Sequence, residues 1–118
     1  MKQDYLQIRV LEVAPQVYAC GPLFESDLTL LARQGVRTIL NTRPDDESPG
    51  QPESEALAKA AEEFGIKCVH FPVVDARSIS AETAQEFVRV AEELERPMMV
   101  CGRSGGHSTR VWETAESA

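Results

Sequence analysis

Residues 97–109 read PMMVCGRSGGHST, and the rest of the chain is organised around them. The run MMVC (98–101) is short and apolar, as a strand buried on both faces is. The glycine-rich turn GRSGG (102–106) follows it, and the residues after the turn have the apolar spacing of a helix. The stretch therefore predicts a buried strand that enters a tight loop and opens a helix.

The rest of the chain repeats this alternation of strand and helix. The predicted strands are VYAC (17–20), VRTILN (36–41), IKCVHFPVV (66–74) and MMVC (98–101). A helical pattern separates each strand from the next, and residues 5–13 predict a further strand at the edge. The alternation predicts an α/β fold, with three α/β/α layers around a mainly parallel sheet of four or five strands.

Composition limits the classes of function. The 118 residues predict a single domain (1–118), and 42% hydrophobic with 26% charged residues is ordinary for a globular protein. A net charge of −7 argues against nucleic-acid binding, which depends on cationic surfaces. The sequence has no apolar run of the roughly 20 residues that cross a membrane, and its start does not have the pattern of a secretory leader. We therefore expect a cytoplasmic protein that binds neither nucleic acid nor membrane.

The cysteines predict neither a disulfide framework nor a metal site. They are an odd number, Cys20, Cys68 and Cys101, and no two form a CxxC pair. Cys20 and Cys68 lie in apolar strand runs and are predicted to be inert. We expect no metal and no cofactor.

The expected ligand site lies at the carboxyl ends of the parallel strands, where loops 42–53, 75–80 and 102–107 meet. The glycines of the last loop let successive N–H groups turn inward, and the helix adds the positive end of its dipole. Phosphate or another oxyanion should bind there. Cys101, at the mouth of this loop, is expected to have a lowered pKa and to act as a nucleophile. The alternative is a packed strand-end cysteine followed by a turn whose glycines only permit close packing.

The chain resembles a known family in two long stretches. These are VYACGPLFESDLTLLARQGVRTILNTRPDDESPGQPESEALAKAAEEFGIKCVHFPV (17–73), within which TILNTRPDDESPGQP is especially typical, and RPMMVCGRSGGHSTRVW (96–112), so the resemblance covers nearly the whole chain. The family is the small bacterial phosphatase-like domain, related to dual-specificity and tyrosine phosphatases, which occurs alone or fused to metallo-β-lactamase-type enzymes of sulfur metabolism. The resemblance implies a cysteine-phosphatase-like fold.

Two alignments of the loop with the phosphatase pattern remain open. Aligned without gaps to the family's short form, C-R-S-G-T-R-S, Gly102 falls on the nucleophilic cysteine, His107 on the phosphate-binding arginine and Ser108 on the closing serine. In the longer Cys-X5-Arg spacing, Cys101 is the nucleophile, and His107 again replaces the arginine. Because side chains alternate between the faces of a strand, the first alignment turns Cys101 away from the loop. Histidine lacks arginine's fixed charge and bidentate fork, so both alignments predict weak or absent hydrolysis.

The loop and the resemblance together give the candidate site residues. The phosphate-binding candidates are Gly102, Arg103, Ser104, Gly105, Gly106, His107, Ser108 and Arg43. The catalytic candidates are Cys101 as nucleophile, Asp75 as the acid that protonates the leaving oxygen, and His107 in place of the arginine. Asp45 and Asp46 are alternatives for the acid, and Arg110 is an additional cation.

The functional prediction is a cysteine-dependent phosphatase-like domain that hydrolyses phosphomonoesters through a phosphocysteine, with weak or no activity. Two alternatives remain open: a rhodanese-like sulfurtransferase with a persulfide on Cys101, and a non-catalytic module that binds an anion. The sequence indicates no particular protein partner.

Overall fold

The structure, a computed structural model, describes residues 9–117. Its strands are β1 (Val10–Ala14), β2 (Val17–Cys20), β3 (Thr38–Asn41), β4 (Lys67–His70) and β5 (Met98–Cys101). Its α-helices are α1 (Leu28–Arg33), α2 (Ser54–Glu62), α3 (Ala81–Glu92) and α4 (Gly105–Ser117), and a 3₁₀ turn (Glu25–Asp27) precedes α1. The predicted alternation from residue 17 onwards is therefore confirmed.

The strands form one sheet in the order β1-β2-β5-β3-β4. Strands β2, β5, β3 and β4 are parallel to one another, and β1 pairs antiparallel with β2 at the edge. The edge strand predicted over residues 5–13 is thus present as β1, while residues 5–8 lie outside the described part of the chain. Every residue of β2, β3 and β5 is buried, because helices cover both faces of these inner strands.

Two buried clusters, one on each face of the sheet, make the three layers. Helices α1 and α2 contribute Leu28, Leu31 and Ala61 to one cluster. Helices α3 and α4 contribute Phe87 and Trp112 to the other, where the two rings meet edge to face with 6.0 Å between centroids. Within residues 9–117, no helix is long and apolar enough to cross a membrane.

Strand β5 divides its side chains between these clusters. Met98 and Val100 face α3 and α4, whereas Met99 and Cys101 face α1 and α2. The side chain at the end of β5 therefore points away from the layer that contains α4, the helix opened by the glycine-rich loop.

Strand β4 is shorter and more exposed than the sequence predicted. The prediction ran from residue 66 to 74, but the strand ends at His70, and both of its end residues are exposed. Strand β4 is at the edge of the sheet, and Pro72 removes a backbone donor just beyond it. The N–H groups of Phe71 and Val73 still donate to the carbonyls of Asn41 and Thr42 (2.8 and 2.9 Å), which keeps residues 71–73 beside the end of β3.

Candidate functional site

Three loops converge at the carboxyl ends of the parallel strands, as the sequence predicts. The backbone N–H and the hydroxyl of Thr42, after β3, both donate to the carbonyl of Cys101 (2.9 and 2.7 Å). The N–H of Gly102, after β5, donates to the carbonyl of Cys20 at 3.2 Å. His107 connects the start of α4 to the third loop through Val73. Hydrogen bonds therefore hold the three loops against one another.

Two serines fix the turn from β5 into α4. Ser104 precedes the helix, and its hydroxyl accepts the N–H of His107 at 3.0 Å, as a helix N-cap does. The buried Ser108 hydroxyl donates to the Cys20 carbonyl at 2.7 Å and lies 3.2 Å from the Ser104 carbonyl. In the described part of the chain, the backbone N–H groups of residues 103–106 have no hydrogen-bond partner. These four donors at a helix N-terminus have the chemistry that binds an oxyanion.

Position 102 faces the interior of the loop. A Cβ atom added to Gly102 would lie 2.6 Å from Ser108 Oγ, 3.1 Å from His107 Cδ2 and 3.2 Å from Thr42 Oγ1. The same position falls on the family's nucleophilic cysteine in the ungapped alignment. The observed direction of position 102 agrees with that alignment, and two hydroxyls and an imidazole surround the place of its side chain.

Cys101 faces the core. Its side chain is 1% exposed, and its thiol donates to Asn41 Oδ1 at 3.4 Å. Burial, and to a lesser extent the nearby Cys68, raise the pKa of Cys101 to about 12. The lowered pKa expected at this position is therefore not found, because the thiol lies in the apolar layer below α1 and α2. Burial also raises the pKa of Cys20, and raises that of Cys68 to about 11.

His107 occupies the expected place of the phosphate-binding arginine, next to position 102. Its side chain is buried, and its Nε2 lies 3.3 Å from the carbonyl oxygen of Val73. Because a carbonyl only accepts, Nε2 is the protonated nitrogen, and in the neutral ring Nδ1 is left as an acceptor. A neutral His107 therefore has no second N–H to offer an oxyanion.

A cleft of about 370 Å³ opens beside the loop. Its lining includes Arg103, Ser104, Gly106 and His107 from the start of α4, together with Arg110 one turn further along. Asp75, Ala76 and Arg77 from the loop before α3 also line it. The predicted loop residues and Asp75 thus share one cleft. Among the described residues, no group of three or more His, Cys, Asp or Glu side chains could hold a metal ion.

Asp75 is ionised in this arrangement. Its Oδ1 accepts the backbone N–H of Arg77 at 2.9 Å and lies 3.5 Å from Arg77 Nε, and its Oδ2 accepts the Ser78 hydroxyl at 3.4 Å. The bond from the Arg77 backbone is the largest cause of a lowered Asp75 pKa. A general acid must hold its proton at the working pH, and these contacts favour the opposite state.

Arg43 and Asp45 have partners outside the cleft. The Arg43 side chain is 6% exposed, and its Nε donates to Glu47 Oε1 at 3.0 Å. Asp45 accepts the N–H and hydroxyl of Ser54 at the start of α2 (2.8 and 3.0 Å), and the N–H bond is the largest cause of its lowered pKa. Neither residue lines the cleft beside the loop. The other alternative acid, Asp46, is exposed and has a positive φ of 64°.

Two polar residues at the end of β3 were missed by sequence reasoning. Asn41 Oδ1 accepts both the thiol of Cys101 and the N–H of Arg43 (3.4 and 3.1 Å), and Thr42 lies against position 102. Their position at the carboxyl end of a central parallel strand is the signal that could have identified them. The roles of Cys101, Asp75 and His107 in catalysis stay predictions.

Comparison with known proteins identifies the family. The family described as "Beta-lactamase hydrolase-like protein, phosphatase-like domain" matches residues 6–118. A beta-lactamase hydrolase-like protein of Xylella fastidiosa (strain 9a5c) is 28% identical over 109 residues, which are 92% of this chain and 25% of that protein. The chain thus spans about a quarter of the length of the curated relatives that it matches.

Solved structures show the same fold. A crystal structure from Neisseria meningitidis Z2491, assigned as a phosphatase, is 27% identical with a TM-score of 0.77, covering 86% of this chain and 72% of the other. Kinase associated phosphatase, crystallised with its catalytic-site cysteine replaced by serine, is 17% identical with a TM-score of 0.60, covering 88% and 68%. The match to residues 6–118 leaves out only the first five residues, and the chain therefore belongs to the phosphatase-like domain family of beta-lactamase hydrolase-like proteins, with the fold of the cysteine phosphatases.

Proposed function

We propose that this phosphatase-like domain binds phosphate or a similar oxyanion at residues 103–106, and that any hydrolysis of phosphomonoesters is weak and does not use Cys101 as the nucleophile. The observation that supports this most directly is the glycine at position 102. It faces the loop interior, where a nucleophile would have to stand, and the neighbouring thiol of Cys101 lies in the core. The loop keeps its donors and has no thiol of its own.

The reaction of a cysteine phosphatase needs two groups in particular protonation states, a thiolate and a protonated acid. A thiolate forms a bond to phosphorus, the ester oxygen leaves with a proton from an acid, and water then hydrolyses the phosphocysteine. Cys101 holds its proton up to a pKa of about 12, so almost no thiolate exists near neutral pH. Asp75 has a lowered pKa and has already lost the proton that the leaving oxygen needs. Both groups are in the wrong protonation state for the first step.

The replacement of arginine by His107 weakens transition-state binding further. Arginine gives two parallel N–H bonds and a permanent charge to phosphate, whereas His107 uses its Nε2–H on the carbonyl of Val73. Loss of one such contact typically lowers a rate by about 10²–10³. Ground-state binding depends less on this residue, because the backbone N–H groups and Arg103 remain.

The sulfurtransferase alternative depends on the same thiol. A persulfide on Cys101 would need a sulfur donor to reach a side chain that is 1% exposed. Burial therefore counts against sulfur transfer through Cys101 as it does against phosphate transfer.

The experiment compares turnover with binding in one set of variants. Hydrolysis of p-nitrophenyl phosphate and binding of orthophosphate are measured for the wild type, Cys101→Ser and the control Cys68→Ser, which removes another thiol of the same face. We expect orthophosphate binding in all three and no hydrolysis that depends on Cys101. Turnover that is lost in Cys101→Ser and retained in Cys68→Ser would contradict the proposal. A mass increase of one sulfur atom on Cys101 after incubation with thiosulfate would favour the sulfurtransferase instead.

A further inference from the structure

The cleft beside the loop has more positive than negative side chains, and a single bound oxyanion would not contact all of the positive ones. Arginines Arg77, Arg103 and Arg110 line the cleft, with Asp75 as its one lining carboxylate, in a chain whose net charge is −7. Neither Arg103 nor Arg110 has an acidic or hydrogen-bonding partner among residues 9–117. Elsewhere in the described chain, Arg37, Arg43 and Arg89 each form an ion pair with a glutamate. Two arginines without a partner, Arg103 and Arg110, thus lie where an anion is expected.

Arg110 lies a short distance along α4 from the oxyanion site at residues 103–106. Arg110 follows Gly106 by four residues and His107 by three, so all three lie on one side of α4. Four residues correspond to about 6 Å along a helix axis. Helical side chains lean towards the N-terminus, so the Arg110 guanidinium is directed back over the cleft. Arg77, from the loop before α3, lines the same cleft.

The contacts of Asp75 leave these arginines available to a ligand. The Asp75 carboxylate already accepts the backbone N–H of Arg77 and the hydroxyl of Ser78. It also lies 3.5 Å from Nε of the Arg77 side chain. The Arg77 side chain is 74% exposed, and its ion pair with Asp75 uses Nε. The terminal nitrogens of its guanidinium remain free to donate, because no other contact of this side chain occurs in the described residues.

We propose that the site takes a ligand with two phosphate groups on one short organic framework. The first phosphate binds the N–H groups of residues 103–106 with Arg103, and the second binds between Arg110 and Arg77. This inference rests on the proposed function, since the first phosphate occupies the site described there, and it adds the class of ligand. A small bisphosphate can place one phosphate at each of these two positions, whereas a monophosphate can occupy only one of them.

The test uses propyl phosphate and propane-1,3-diyl bisphosphate as probes, measured by titration calorimetry at constant ionic strength. The wild type should bind the bisphosphate about tenfold more tightly than the monophosphate, since a charge-assisted contact at a partly exposed rim contributes on that scale. Arg110→Gln should reduce this preference about fivefold or more and leave binding of propyl phosphate within about twofold. The control is Arg89→Gln on α3, which removes the same charge from an exposed pair with Glu86 and should leave the preference unchanged.

The outcomes separate this inference from the proposed function. If Arg110→Gln leaves the preference unchanged, or weakens both probes equally, the second phosphate position is refuted and the first remains. If the wild type binds neither probe, the oxyanion site itself is refuted, and with it both proposals. If Arg89→Gln lowers the preference as much as Arg110→Gln does, the effect is that of overall charge, and the inference fails.

Discussion

Replacement of Gly102 by alanine should destabilise the domain through one identifiable contact. The added Cβ would lie 2.6 Å from Ser108 Oγ, closer than nonbonded atoms allow, so the hydroxyl must turn away. The turn breaks the 2.7 Å bond to the Cys20 carbonyl, and the other two contacts, with His107 and Thr42 at 3.1 and 3.2 Å, oppose any shift of the Cβ itself. Gly102 does not have a positive φ, so steric crowding is the whole cost.

The magnitude follows from the bond and the crowding. A net hydrogen bond contributes about 1 kcal/mol, and overpacking a well-packed site costs about 1–3 kcal/mol. The Cys20 carbonyl retains the N–H of residue 102, so it is not left unsatisfied. We therefore expect the free energy of unfolding to fall by about 2 kcal/mol.

Urea denaturation followed by the fluorescence of Trp112, the only tryptophan of the chain, measures this change. Gly105→Ala is the matched control, because a Cβ there meets no atom within 4 Å. It should leave the stability unchanged or raise it by up to about 1 kcal/mol, since alanine is favoured over glycine in a helix. If Gly102→Ala is as stable as Gly105→Ala, the packing of Ser108 against position 102 is refuted.

A double-mutant cycle identifies the contact. Ser108→Ala removes the hydroxyl that the new Cβ meets, so the cost of Gly102→Ala should be smaller by about 1 kcal/mol or more in that background. If the two costs simply add, the crowding arises elsewhere in the loop.

Three further predictions concern the site. Between about pH 9 and 12 the unfolded chain loses the Cys101 proton and the folded chain keeps it, so the folded state binds more protons and the free energy of unfolding falls as pH rises. In urea denaturation at pH 9.5 and above, the wild type should lose about 1.4 kcal/mol per pH unit more than Cys101→Ala does, and equal slopes would place the thiol in water. Asp75→Asn should tighten orthophosphate binding roughly twofold by removing a negative charge from the cleft, whereas weaker binding in calorimetry would give Asp75 a positive role. His107→Arg should improve phosphate binding without turnover, and hydrolysis of p-nitrophenyl phosphate should appear only when Gly102→Cys is added, with strong non-additivity. Turnover in His107→Arg alone that is lost with Cys101→Ser would instead favour the longer spacing.

The fold could be predicted from the sequence because each of its signals is local. Apolar runs and helical spacing alternate from residue 17 onwards, and such alternation has few solutions other than a parallel sheet between helices. The edge position of β4 was left open, because Pro72 indicates either the end of a strand or an edge strand, whereas IKCVHFPVV is as apolar as an inner strand. The order of the strands in the sheet depends on how the helices that connect them pack, and the sequence of a single segment does not indicate this.

Some features of the candidate site could likewise be predicted from the sequence, and others could not. The glycine-rich loop and the convergence of three loops follow from local sequence and topology, and the structure contains both. The direction of Cys101 was left open, because a shift of one residue along a strand reverses the face of every side chain. The pairing of Arg43 with Glu47 was not predicted, since the loop over residues 42–53 has four acidic residues and several turns and so allows many partners.

The most direct measurement is an orthophosphate titration of the ¹⁵N-labelled protein, observed through the backbone amides. We predict saturable shifts concentrated at the N–H groups of residues 103–106, which have no partner in the described chain, and the same shifts in Cys101→Ser. Two results would contradict an oxyanion site that has no thiol nucleophile. One is the absence of a saturable shift at these amides. The other is shifts that disappear when the Cys101 thiol is removed.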